Sequence, residues 1–167
     1  MKRLASLAAA LLLAACAAAF ALEIPPRAIQ AGLAAYAGTK GRLQARPGAG
    51  GSTVLELARS GTDVAGVVSL HGGLSTSKPA APGSIKAPVL VLNGADDRSN
   101  SWEDIGKFNA EMNAAGADWQ FVNFSGAVHC FAEADANRPP GCVYNERAAK
   151  RAYRMMEDFF ADAFADR

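Results

Sequence analysis

Two stretches of the chain end in residues that could do acid–base chemistry. Val89-Leu90-Val91-Leu92-Asn93-Gly94-Ala95 runs into Asp96-Asp97, and Phe121-Val122-Asn123-Phe124-Ser125-Gly126-Ala127-Val128 runs into His129. Each has an apolar, strand-like start, a Gly-bearing turn, and an ionisable residue just past the turn. An Asp followed by a His, at the ends of successive strands, is the back half of a nucleophile–acid–His triad. In such a site the imidazole takes the nucleophile's proton and the carboxylate orients the imidazole. Taken singly, the Asp reads as a loop or capping carboxylate and the His as a loop histidine bonded to backbone. The pairing at successive strand ends is what points to chemistry.

The intervening residues supply the elements that would position this pair. Ser101-Trp102-Glu103-Asp104 has capping-box spacing, Ile105, Phe108, Met112 and Ala115 continue one helical face, and Gly116 ends it. A helical pattern between two strand-like runs predicts a parallel α/β sheet, whose functional groups gather at the carboxyl ends of its strands. Val64 to Leu70 is a third buried-strand candidate and ends at His71-Gly72-Gly73, with His71 a loop residue to which the sequence assigns no role. Upstream, Gly48-Ala49-Gly50-Gly51 enters a helix over Ser52 to Gly61. No Lys follows these glycines as a phosphate loop requires, so they predict close packing of a turn and helix against the sheet. Ser75 to Lys86 reads as a surface connection. Asn145 opens a final helix, with Ala149, Ala152, Met156, Phe159 and Ala163 on its apolar face and Arg147, Lys150, Arg154 and Asp158 on the other.

With 167 residues, half of them apolar, the chain predicts one domain with a substantial core. A formal charge of +1 gives no reason to expect a nucleic-acid partner. Lys2 and Arg3 precede an Ala/Leu run from Leu4 to Ala21, the pattern of an export signal over residues 1–21. Two processing signals compete at its end. Ala19-Phe20-Ala21 fits cleavage after Ala21, the reading preferred here, whereas Leu13-Ala14-Ala15-Cys16 resembles a lipoprotein box that would attach the chain to a membrane through a lipidated Cys16. Either way the expected location is periplasmic or secreted. Residues 22–47 form a weakly patterned segment and a polar, basic linker, and residues 48–167 form the α/β domain. Cys130 and Cys142, an even pair in an oxidising compartment, predict a disulfide across a loop containing Pro139, Pro140 and Gly141. A metal site on His129, Cys130 and Cys142 lacks a fourth ligand at sensible spacing. No cofactor is expected.

Gly50 to Gly61, the strand into His71-Gly72-Gly73, Val89 to Asp97, Gly126 to His129 and Tyr144-Asn145-Glu146-Arg147-Ala148 together resemble the C-terminal half of dienelactone hydrolase family proteins. The resemblance implies a partial α/β-hydrolase fold: about three parallel strands with flanking helices. It assigns the acid to Asp97, three residues after Gly94, with Asp96 the alternative, and the base to His129. The family's nucleophile elbow aligns with Arg46-Pro47-Gly48-Ala49-Gly50-Gly51. Gly48 therefore occupies the nucleophile's position, and the strands that normally precede the elbow are replaced by Gly41 to Pro47.

The resemblance thus implies a hydrolase of carboxylic esters or lactones with an internal deletion and an impaired triad. Ser52 lies one turn into the helix, where its hydroxyl should point away from the elbow. The rival expectation is a non-catalytic exported domain. In that reading the strand at Val64 has an unpaired edge that invites a homodimer.

Overall fold

The computed structural model describes residues 50–165. The export-signal and linker expectations, with Cys16 and Gly48, lie outside the described residues. The elements run α1 (Gly50–Arg59), β1 (Val67–Leu70), β2 (Val89–Gly94), α2 (Trp102–Ala114), β3 (Trp119–Phe124), a two-stranded ribbon of β4 (Asn137–Arg138) and β5 (Cys142–Val143), and α3 (Glu146–Ala165). The three longer strands form a parallel sheet in the order β1-β2-β3. This is the expected partial α/β architecture, with the first strand beginning at Val67 rather than Val64.

β2 is central, and every residue from Val89 to Gly94 is buried. A strand covered on both faces needs a continuous apolar sequence, which Val89-Leu90-Val91-Leu92 supplies. Its side chains alternate between two cores. Val89 and Val91 pack with Leu55 and Ala58 of α1 and with Ile105, Phe108 and Met112 of α2. Leu90 and Leu92 pack with Phe131 and with Ala148, Ala149 and Ala152 of α3, where Met156 and Phe159 extend the apolar stripe.

Local signals at the helix ends behave as their chemistry dictates. Ser101 caps α2 by accepting from the Asp104 amide while Asp104 accepts from the Ser101 amide, a complete capping box. Asn145 accepts from the Ala148 amide at 3.1 Å and so caps α3. Gly116 takes φ +65° just beyond α2, the left-handed geometry that stops a helix.

The connection from β1 to β2 departs from a plain surface loop, because Leu74, Ile85 and Ala87 enter the core. A buried ion pair fastens it. Arg59 at the end of α1 donates to both carboxylate oxygens of Glu111 on α2, at 2.9 and 2.8 Å, and to the Leu74 carbonyl at 2.9 Å. Glu111 also accepts from the Ala80 amide at 2.8 Å. Burial works against the Glu111 charge, but the Arg59 guanidinium and the Ala80 amide outweigh it and hold the carboxyl below its ordinary value.

Glu111→Ala leaves the buried Arg59 cation with its main partner gone and is expected to destabilise the fold by about 3 kcal/mol in urea unfolding. The sign with pH follows from the lowered carboxyl. Its stabilisation is present above the ordinary glutamate range and is lost as pH falls through the lower folded-state value, so the gap between wild type and variant closes in acid.

Candidate active site

The carboxyl end of β2 is also where the polar groups of the chain converge. Asn93, only 1 % exposed, sits there. A buried amide must be hydrogen-bonded or it costs the fold, and Asn93 is well satisfied. Its Nδ2 donates to Asn123 Oδ1 at 2.8 Å, reaching β3, and to the Gly94 carbonyl at 2.9 Å. Its Oδ1 accepts from Asn100 at 3.0 Å. Asn100, also buried, donates to the Gly72 carbonyl at 2.9 Å and accepts from the Leu74 amide at 3.2 Å. One network therefore ties the ends of β1, β2 and β3 together.

Close backbone approach completes the alignment. A Cβ at Gly94 would lie 2.5 Å from the Ala127 carbonyl oxygen and 2.8 Å from that of Val128, so glycine lets the loop after β3 cross the end of β2. The Asp96 amide then donates to the Ala127 carbonyl at 2.9 Å. Likewise a Cβ at Gly51 would lie 2.5 Å from Gly72 Cα, which seats the start of α1 on the loop after β1. The Gly-rich run thus ends in the close helix-to-sheet packing its sequence implies. Ser52 Oγ accepts from the Gly73 amide at 2.9 Å, so this hydroxyl is engaged with the same loop.

Across this platform His129 Nδ1 lies 2.8 Å from Asp97 Oδ2. The Asp97 side chain is 1 % exposed and that of His129 is 29 % exposed. Burial opposes the charge on Asp97, but bonds from the Ser99 hydroxyl and from His129 outweigh it and lower its pKa below the ordinary aspartate value. The Ser99 amide adds a bond to Oδ1 at 2.9 Å. An ionised Asp97 can only accept, so Nδ1 of a neutral His129 carries the proton and Nε2 keeps its lone pair. That is the tautomer a general base needs. Asp96, the alternative acid, is exposed and contributes its backbone rather than its carboxylate.

Cys130 and Cys142 are bonded as a disulfide, with Cα atoms 5.0 Å apart. The bridge closes the segment just after His129 back onto it. His129 and Cys142 form an isolated parallel β-bridge, and the Val143 amide donates to the His129 carbonyl at 3.1 Å. Among the described residues no group of three or more His, Cys, Asp or Glu could hold a metal ion.

Sequence reasoning left His71 without a role, and the structure brings it to the site. Its ring centroid is 5.3 Å from that of His129 and 5.6 Å from that of Phe131, both edge-to-face. Its Nε2 lies 3.8 Å from Glu133 Oε1. Burial first, and the neighbouring His129 second, push the His71 pKa down, with Glu133 opposing them. Sequence reasoning also missed the Asn93–Asn100–Asn123 network and Ser99. The available signal was Asn93 itself, an amide inside a run otherwise apolar enough for a central strand. A cleft of about 490 Å³ is lined, among others, by Asp97, Arg98, Trp102, Ile105, Val128 and Pro140. Neither histidine lines it.

The family model for the dienelactone hydrolase family matches residues 48–164. This chain belongs to that family. As a dienelactone hydrolase family protein it is 30% identical, over 121 residues, to an uncharacterized protein of Caenorhabditis elegans, covering 70% of this chain and 76% of the relative. It is also similar to the solved structure named m3DLH, with a TM-score of 0.64 and 33% identity. A dienelactone hydrolase-like promiscuous phosphotriesterase from metagenomic libraries gives a TM-score of 0.62, again at 33% identity. Both comparisons cover 68% of this chain and 48% of the other, so the chain spans about half the length of the solved structures it matches.

Because the bridge restricts the unfolded chain as well as the His129 loop, Cys142→Ser is expected to lower stability by about 3 kcal/mol in the chain-entropy model. Denaturant melts of the variant beside the reduced and oxidised wild type check this. Equal midpoints for reduced and oxidised wild type would contradict it.

Proposed function

We propose that this dienelactone hydrolase family protein carries the base and acid of an ester- or lactone-hydrolysing triad, with His129 as base and Asp97 orienting it. In this reading the nucleophile's position is Gly48, so the chain by itself hydrolyses such substrates poorly or not at all. The observation that supports the assignment is the 2.8 Å contact from His129 Nδ1 to a buried Asp97.

In a complete site of this kind a hydroxyl or thiol, deprotonated by His129 Nε2, would attack the acyl carbon and form an acyl-enzyme. His129 would return the proton to the leaving alcohol and then activate water for deacylation. Glycine has no atom that can make the first bond. Losing the nucleophile from such a triad costs several orders of magnitude in rate. The remaining His–Asp pair can still act as a general base toward water, which serves only activated substrates. Exported localisation and an internal deletion relative to the family belong to the same reading, from the signal at residues 1–21 and the short linker at Gly41 to Pro47.

A short-chain activated ester is the direct test. Purified wild type should turn it over no more than a few-fold faster than His129→Ala, with no burst. A burst followed by steady turnover, both abolished in His129→Ala, would sink the proposal by revealing an unrecognised nucleophile.

One observation favours a second role, self-association. Among the described residues β1 pairs only with β2, leaving its other edge without a described strand. Edges of this kind template pairing with a second chain. Sedimentation equilibrium is expected to show a dimer, and a monodisperse folded monomer at tens of micromolar would rule it out.

A further inference from the structure

His71 combines features that packing alone does not require. It is a non-glycine residue at φ +41°, followed directly by two glycines. Left-handed backbone at such a residue is unfavourable and persists only where the surroundings hold it. They do so here. The His71 amide donates to the Leu92 carbonyl at 2.9 Å, and the Gly72 carbonyl is taken by Asn100 at 2.9 Å. The His71 side chain is 12% exposed, wedged between the rings of His129 and Phe131. The strained backbone therefore delivers an imidazole to one particular place, beside the ring of the base.

Two histidine–carboxylate pairs stand side by side as a result: His129 with Asp97, and His71 with Glu133. The charged and titratable groups that act on His71 are His129, Glu133 and Asp97. At this ring separation two imidazolium ions repel in a partly buried setting, so the pair favours one proton over two. His129 touches a buried carboxylate at 2.8 Å, while Glu133 is 3.8 Å from His71 and partly exposed. An uncharged His71 ring is then free to pack edge-to-face against His129 and limit its rotation.

We propose that His71 is a positioning residue for His129, fixing the ring of the base by edge-to-face contact. The inference rests on reading His129 as the base, and its test needs no catalysis. The chain contains two histidines, so ring resonances resolve both titrations without crowding. In wild type the His71 ring should titrate below an ordinary histidine. Its midpoint should rise in His129→Gln, which removes the like charge, and fall further in Glu133→Gln, which removes the opposing one. The low-field resonance of the His129 Nδ1 proton should broaden or vanish in His71→Ala and return in His71→Phe, which restores a ring at the same place.

Three outcomes would overturn the role. A His71 midpoint unmoved by His129→Gln would show that the two rings are not close enough to act on one another, which the positioning role requires. A low-field resonance present in wild type and undisturbed in His71→Ala would remove the positioning role while leaving the Asp97–His129 reading intact. Its absence from wild type would remove both.

Discussion

The site depends on the hydrogen bond between two buried amides, Asn93 and Asn100. Among the described residues Asn93 lies in the one strand with neighbours on both sides, and Asn100 lies in the loop that carries Asp97. Through Asn123 and Gly72 the same pair holds the end of β3 and the loop after β1. Each amide is buried deeply enough that an unmatched donor or acceptor would cost about 1–3 kcal/mol, so the network has little freedom to adopt another arrangement. Asp97, His71 and the start of the His129 loop are all attached within a few residues of it. Their mutual placement follows from satisfying the amides.

Around that centre the two cores do different work. The α1–α2 side, locked by Arg59 and Glu111, fixes the connection that starts at His71-Gly72-Gly73 and leads into β2. The α3 side presses Phe131 and the small residues of α3 against Leu90 and Leu92, and so holds the segment that follows His129. The disulfide constrains that segment from its other end. His129 and Asp97 are thereby held together from two loops that could otherwise move apart. The proposed assignment of Gly48 to the nucleophile's position would leave this support serving a pair without nucleophilic chemistry.

Much of this was legible in the sequence, for identifiable reasons. β2 and α2 announced themselves because a fully buried parallel strand must be continuously apolar and a capped amphipathic helix must show its period. The Cys130–Cys142 pairing followed from an even pair closing a short loop. The start of β1 was less legible, since Val64 is buried and apolar yet lies before the paired residues, and burial alone does not distinguish a strand from the segment leading into it. Side-chain relations across the sheet were the least legible. Asn93 meeting Asn100, and His71 meeting His129 across 58 positions of the chain, depend on which loops the sheet order brings together, and no local pattern encodes that.

The most direct test of the central claim is intact-mass spectrometry after exposure to an activated phosphonate ester, run on wild type and His129→Ala together. No adduct that depends on His129 is predicted, because in the proposed reading Gly48 leaves the base without a hydroxyl or thiol to activate. A stoichiometric adduct formed by wild type and lost in His129→Ala, mapped to any Ser, Thr or Cys, would contradict it and identify the missing nucleophile.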